Sequence, residues 1–505
     1  MVGIESEKKK AYLNIFCTIV AQVFSILNGL IVPRILLSTF GSEANGLVSS
    51  LVQFMNYIAL VEGGLGSVVL AALYSPLAKK DNEQLNTVLC VANKFFRKLA
   101  WIFVVYVVVL GGAYPYIVKT TFSNLYVFIL ILILAFSLFI QYFFSITYKL
   151  LLQADQKMYI VQILQIITTC INLLMVIFLV KYFPNLIVVK FGSALIYVIQ
   201  PIIYSNYVKK HYNIRYSKKV DNTVLSQRWN CFGQNLAFFI HNNTDTVVLS
   251  LFCNLKVVSV YTVYYLVVNN LKNFFMSFSN AFSPMLGKAL AKNDLERANK
   301  VLNMYEFIVF NAATFVFGCC VCLLPNFVML YTKGIEDVNY YQPIFSSILV
   351  LAEFIYCIRN PYVEVVYAVG QFKETEKSAY IEAAINIILS VILVKKYGLS
   401  GIAVGTFVGM MYRMFYHVWY LSCHILNRPI WLFSKRLLNS ILVIFISNWI
   451  VKEWFLLNEA SIISFVKNII FCVITFSSIL IIANYIFDRD IFLKFLKSFF
   501  KNKIL

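Results

Sequence analysis

Seven ionisable residues of this chain stand deep inside runs of apolar residues: Glu62, His241, Asp245, Lys272, Glu353, Arg359 and Arg413. A charge in hydrocarbon is costly, so each is expected to face a cavity, a water-filled path or a partner of opposite sign. Asp245, His241, Glu62 and Glu353 are the candidates for binding a proton or cation that drives a transport cycle. A carboxylate in a low-dielectric site can exchange protons near neutral pH, which coupling requires. Asp245 leads this group. It shares one helical stripe with Gln234 and His241, at seven- and four-residue spacing, and Asn235 and Asn242 lie beside it. Such a stripe faces protein or water rather than lipid. Interhelical hydrogen bonding that packs helices together explains it equally well.

Lys272, Arg359 and Arg413 are candidates for binding an anion, Arg above all, because a guanidinium grips phosphate oxygens in pairs. The competing reading pairs each cation with Glu353, Glu62 or Asp245 as a structural bridge. Arg34, Lys190, Glu364 and Glu382 fall nearer the ends of the apolar runs, where long side chains are expected to snorkel to the headgroups. Arg34 stays on the list of anion-binding candidates because it adjoins Pro33. Pro361 follows Arg359 and Asn360 and favours a kink or local unwinding. Gly401, Gly405 and Gly409 precede Arg413 and make a small-residue face suited to close packing. Glu62-Gly63-Gly64-Leu65-Gly66 is read as a helix contact or bend. No strand precedes it and no Gly-Lys-Ser/Thr follows, so it is not a nucleotide loop. Without an ATPase motif, energy must come from an ion gradient or the substrate's own gradient, and no cofactor or metal is expected. The eleven cysteines are scattered through apolar segments with no paired ligand spacing.

These residues must be positioned by membrane helices. Of the 505 residues 60% are hydrophobic and only 13% charged, whereas a soluble domain carries about 25% charged residues. Apolar runs long enough to cross a bilayer recur throughout. About 14 spans are expected, at 11–37, 46–73, 99–118, 125–147, 159–180, 186–207, 229–253, 257–285, 305–325, 344–368, 379–394, 399–421, 437–451 and 464–487. With a cytoplasmic N-terminus, most Lys and Arg outside the spans fall in cytoplasmic loops, and the bias persists to the C-terminus. That distribution accounts for most of the net charge of +20, and nucleic acid is not needed to explain it.

Leu77-Ala78-Lys79-Lys80-Asp81-Asn82-Glu83-Gln84-Leu85-Asn86 returns as Leu290-Ala291-Lys292-Asn293-Asp294-Leu295-Glu296-Arg297-Ala298-Asn299, 213 residues later. Ile171-Asn172-Leu173-Leu174 returns as Ile385-Asn386-Ile387-Ile388. The copies are separated by an even number of spans, so the halves share one orientation. The expected fold is an all-α integral membrane protein with two six-helix lobes related by a pseudo-twofold along the membrane normal. The expected divisions are residues 1–215 and 216–425 for the lobes, 426–487 for two added helices and 488–505 for an amphipathic basic tail lying on the membrane.

The stretch from Pro33-Arg34 through Gly41, Gly46 and Glu62-Gly63-Gly64-Leu65-Gly66 to Leu73-Tyr74-Ser75-Pro76-Leu77-Ala78 resembles the multidrug/oligosaccharidyl-lipid/polysaccharide (MOP) exporter superfamily, and more narrowly its Wzx-type polysaccharide flippases. The resemblance implies a transporter of the bacterial cytoplasmic membrane with both termini in the cytoplasm. It implies that an undecaprenyl-diphosphate-linked oligosaccharide is moved to the outer leaflet for surface polysaccharide synthesis, by alternating access through a central cavity. The partners implied are that lipid-linked substrate, membrane lipids, H+ or Na+, and other polysaccharide-assembly proteins. Two alternatives stay open: a multidrug exporter of the same superfamily moving organic cations, and a membrane polysaccharide polymerase or ligase. The first would want acidic cavity walls. The second would place acceptor-binding residues in a large external loop, and the longest expected here is only Asn326–Pro343.

Overall fold

A computed structural model describes residues 2–62, 65–212, 232–276, 279–292, 294–454 and 461–500, and every regular element among them is a helix. The first, α1 (Val2–Asn56), holds two expected spans end to end. Its helical geometry breaks at Gly41, with φ 79° and ψ 176°, a conformation open to glycine and strained for other residues. The first span therefore stops at Gly41. The second starts directly after it and continues through α2 (Ile58–Glu62) and α3 (Leu65–Lys79).

The remaining helices are α4 (Asn82–Ile117), α5 (Asn124–Ile140), α6 (Ile146–Ala154), α7 (Met158–Tyr182), α8 (Leu186–His211), α9 (Phe232–Phe252), α10 (Leu255–Met276), α11 (Ser279–Ala291), α12 (Leu295–Tyr331), α13 (Pro343–Ala368), α14 (Phe372–Tyr397), α15 (Leu399–Tyr420), α16 (Trp431–Trp454), α17 (Ile462–Phe487) and α18 (Arg489–Phe500). Two π turns are present among the described residues: Gln141–Ser145 joins α5 to α6, and Leu421–Ile425 follows α15.

Ten helices among the described residues are long and apolar enough to cross a membrane. Of the expected spans, 46–73 shares one of those ten with 11–37, and 229–253, 257–285 and 399–421 fall outside them. The first is divided by the breaks around Tyr57 and Glu62. The other three coincide with α9, α10 and α15, which carry Asp245, Lys272 and Arg413. Buried polar groups lower the hydropathy of these helices, and protein neighbours rather than lipid satisfy them.

The repeated motif has the same structural job twice. Asp81 caps α4, accepting from the amides of Glu83 and Gln84, and Asp294 caps α12, accepting from Arg297 N. In each copy the Asp amide reaches back five residues, to Pro76 O (2.9 Å) and to Ala289 O (3.0 Å), closing the preceding helix. A short carboxylate at the N-cap satisfies amides that no helix turn can reach.

The chain condenses into two compact units: Met1–Phe239 with Cys253–Ser259, and Ile240–Phe252 with Val260–Leu505. In the first, α1 packs along α7, α7 on α8, and α5 on both α4 and α8. Asn14 pins α1 to the start of α7, donating to Gln156 O (2.8 Å) and accepting from Tyr159 N (2.7 Å). Beside that junction Lys157 meets Asp155 at 2.7 Å and Tyr212 Oη at 3.0 Å. Burial alone would lower the Lys157 ammonium, but these partners hold it above its ordinary value.

In the second unit α16 and α17 pack against α12 through a core of Cys319, Cys322, Val443, Val451, Cys472 and Phe476. Thr314 donates to Ser440 (2.8 Å) within that contact. At the foot of α12 the fully buried Glu306 accepts from Arg428 (2.5 and 2.7 Å) and Arg436 (2.5 Å). Burial alone would lower the Arg428 guanidinium, but the Glu306 charge holds it above its ordinary value. The tail is helical as α18, with Lys494 and Lys497 exposed and Phe495 against Phe307 at 5.8 Å.

Candidate functional site

The tightest contact in the second unit is between α14 and α15, and glycine makes it possible. A Cβ on Gly401 would meet the Leu393 carbonyl carbon at 2.6 Å, and one on Gly409 would meet the Glu382 carbonyl oxygen at 3.2 Å. A Cβ on Gly405 would collide with Ser390. α15 therefore lies backbone to backbone on α14, which brings Thr406 to Asn386 and Arg413 to Glu382.

Three carboxylates and three cations converge around that seam, on α9, α10, α13, α14 and α15. Each is 5% exposed or less. Glu382 is held between two arginines: Arg359 Nη1 reaches Oε1 at 3.3 Å and Arg413 Nη1 binds Oε2. Lys272 lies in a tyrosine and amide cage. Its Nζ donates to Asn242 Oδ1 (2.9 Å) and Tyr265 Oη (3.3 Å), and meets Glu353 Oε1 at 3.4 Å. The same ammonium stands 5.2 Å from the Tyr356 ring centroid, and Arg359 lies over that ring at 4.7 Å. Tyr356 thus links the lysine pair to the arginine pair. Asp245 accepts from Tyr261 Oη (3.0 Å) and from Thr406 Oγ1 (2.9 and 3.1 Å), and Asn386 Nδ2 donates to Thr406 Oγ1 (2.8 Å). The six formal charges cancel.

Of the anion-binding candidates, the fold brings Lys272, Arg359 and Arg413 together. Arg34 lies half-buried on α1 in the first unit. Of the ion candidates, Asp245 and Glu353 join the cluster. Glu62 ends α2 in the first unit and accepts from Tyr142 Oη (3.3 Å). The side chains of His241, Gln234 and Asn235, and residues Gly63 and Gly64, lie outside the described residues. The α13 helix runs through Pro361 without interruption, so the expected unwinding is absent there; Asn360 donates to Tyr305 Oη (2.9 Å) beside it.

Glu382 is a correction. Expected near a helix end and able to snorkel, it is 2% exposed and joins two arginines. The reason is the helix start: α14 begins at Phe372, so Glu382 sits well inside it rather than in its first turn. His417 was not singled out in the sequence. It is fully buried one turn beyond Arg413, with Nδ1 2.9 Å from the Arg413 carbonyl. The spacing of Gly409, Arg413 and His417 at successive four-residue steps is the signal that could have found it.

A cleft of about 500 Å³ opens near the cluster, lined by Ser283, Pro284 and Gly287 of α11 and by Glu364, Tyr367 and Ala368 of α13. The Tyr367 hydroxyl lies within electrostatic reach of both Arg359 and Arg413. Around Asp245 the available groups are its own carboxylate, the Tyr261 and Thr406 hydroxyls that donate to it, and the Asn386 amide beyond Thr406. That all-oxygen set with a single charge suits a small monovalent cation better than a divalent or soft metal. Among the described residues no group of three His, Cys, Asp or Glu could hold a metal ion.

Comparisons with known proteins agree with this architecture. Residues 12–290 match the family described as "Polysaccharide biosynthesis protein", and residues 231–392 match the MatE family. No curated protein matches the chain. Among solved structures, the lipid II flippase MurJ in an inward closed conformation superposes with a TM-score of 0.71 at 15% identity, covering 95% of this chain and 100% of that one. An inward-facing multidrug resistance MATE family transporter of the MOP superfamily gives 0.63 at 14% identity, covering 80% and 94%. A MOP superfamily transporter from Pyrococcus furiosus, described by a binding pocket of reverse polarity, gives 0.58 at 13% identity, covering 82% and 96%.

Proposed function

The chain belongs to the polysaccharide biosynthesis protein family, a multi-pass membrane transporter family of the MOP superfamily, and from that premise we propose that it flips an undecaprenyl-diphosphate-linked oligosaccharide across the bacterial cytoplasmic membrane. Both termini lie in the cytoplasm and the cycle is one of alternating access. The observation that carries the reading is the arginine pair. Arg359 and Arg413 share one carboxylate, so this part of the cluster keeps a surplus positive charge in a buried setting. A diphosphate needs such a surplus and the fork of donors that arginine supplies. Lys272 is already matched by Glu353 and serves chiefly to hold Tyr356 and Tyr265 in place.

Asp245 is the coupling residue. Its carboxylate, Thr406 and Asn386 span α9, α15 and α14, so a proton or sodium ion there would draw the three helices together, and its loss would release them. A drug exporter moving organic cations would need an acidic surplus; the cluster as a whole is balanced, and the family match favours the flippase. The test is transport by purified protein in proteoliposomes carrying a lipid-linked oligosaccharide. Wild type is expected to flip it; Arg359→Gln and Arg413→Gln are each expected to insert normally and lose flipping. Normal flipping by both variants would remove the arginine pair from the mechanism.

A further inference from the structure

Glu382 engages each arginine through one nitrogen only, Nη1, and neither contact is the two-pronged fork that arginine makes with its best anions. Arg359 is under-used in other ways. Its Nη1 also points at the Met410 sulfur, a weak acceptor, at 3.6 Å, and its Nε, though buried, has no hydrogen-bond partner among the described residues. A buried donor left unmatched is unfavourable, and this one lies beside one carboxylate held between two guanidiniums. The arrangement is suited to an anion with more oxygens than a carboxylate has. Tyr367, on the wall of the neighbouring cleft, lies within electrostatic reach of both guanidiniums.

We propose that Glu382 is a resident counter-anion standing in the place of the substrate's diphosphate, and that substrate binds by displacing it from Arg359 and Arg413. This rests on the flippase reading and adds a residue to it that sets both affinity and release. Between transport events the carboxylate offsets part of the charge of two buried cations, which lets the protein exist without substrate. When the diphosphate arrives it takes both guanidiniums, and the returning carboxylate later competes it off. Tight binding is thereby traded for turnover. The arginines accept substrate only in the fraction of molecules where Glu382 has let go, and apparent affinity falls by that fraction.

The experiment measures binding of undecaprenyl diphosphate to purified protein in nanodiscs, with inorganic pyrophosphate as soluble competitor. Glu382→Gln is expected to bind the lipid about 10- to 100-fold more tightly than wild type, the inverse of a minor open state populated at roughly 1–10%. Its dissociation rate should fall in step. A purely structural role predicts the opposite, because arginines that lose their anchor lose their aim. Should the Gln variant fail to fold, Glu382→Asp keeps the charge but draws it back by one methylene, and a smaller tightening is expected. Affinity equal to or weaker than wild type in a folded variant overturns the proposal. Pyrophosphate is expected to compete with the lipid and to show the same tightening. Lipid binding untouched by saturating pyrophosphate overturns the assignment of the arginines to the headgroup. A wild-type protein that binds no diphosphate at all overturns the flippase reading itself and this proposal with it, and that outcome is read on wild type alone.

Discussion

Replacing Gly405 by alanine tests whether the glycine seam sets the geometry of the charged cluster. An alanine Cβ would stand 2.8 Å from Ser390 N and 3.0 Å from the Asn386 carbonyl oxygen, and closer still to Ser390 Oγ. Two of those three atoms are backbone and cannot rotate aside. Restoring ordinary contact near 3.5–4 Å requires α14 and α15 to part by about 0.5–1 Å. The neighbouring Thr406 would then loosen from Asn386, now 2.8 Å away, and Arg413 from Glu382. Overpacking of this kind costs about 1–3 kcal/mol. Alanine recovers about 0.5–1 kcal/mol of helix propensity, so a net loss of about 1–2 kcal/mol is expected. Unfolding of purified protein in detergent would report it, with surface glycan in cells as the functional readout. Gly112→Ala is the control, because a Cβ there meets nothing within 4 Å, and it should match or slightly exceed wild type. Gly405→Ala as stable as Gly112→Ala, with full glycan, would refute the idea that this seam holds the site.

Two further tests separate pairing from function. Lys272→Met removes the ammonium that faces the Glu353 carboxylate, itself 1% exposed, and is expected to cost about 3–5 kcal/mol; Lys272→Met with Glu353→Leu should recover most of it, whereas additive losses in the double variant would deny the pair. Asp245→Asn should keep diphosphate binding while abolishing dependence of transport on an imposed proton or sodium gradient. Unchanged gradient dependence in vesicles would reject Asp245 as the coupling residue.

Much of the cluster was legible because a charge inside an apolar run announces itself. Asp245, Lys272, Glu353, Arg359 and Arg413 could all be picked from residue type and position. The residues that escaped did so for one physical reason, the length of the helices. Hydropathy finds the stretch that touches lipid, but α12 and α14 start at Leu295 and Phe372, well before their apolar runs. Glu306 and Glu382, apparently at helix ends, are therefore interior residues. Gly41 had the complementary effect: one glycine lets two spans follow each other without a loop. The glycines of α15 could be read as a packing face, but hydropathy offers no way to tell which helix that face meets.

The position of Glu306 also has a consequence for how the chain is made. Its partners Arg428 and Arg436 lie 122 and 130 residues further along. The pair of Arg359 and Glu382 closes across only 23 residues. At about 5–20 residues per second of synthesis, α12 must wait roughly 6–24 s for its first countercharge. In that interval the foot of α12 carries a carboxylate whose burial in the finished fold depends on charges not yet made, and such a charge is costly in hydrocarbon. A chain that stops before Arg428 holds the Glu306 carboxylate without either of the two guanidiniums that bind it in the finished fold.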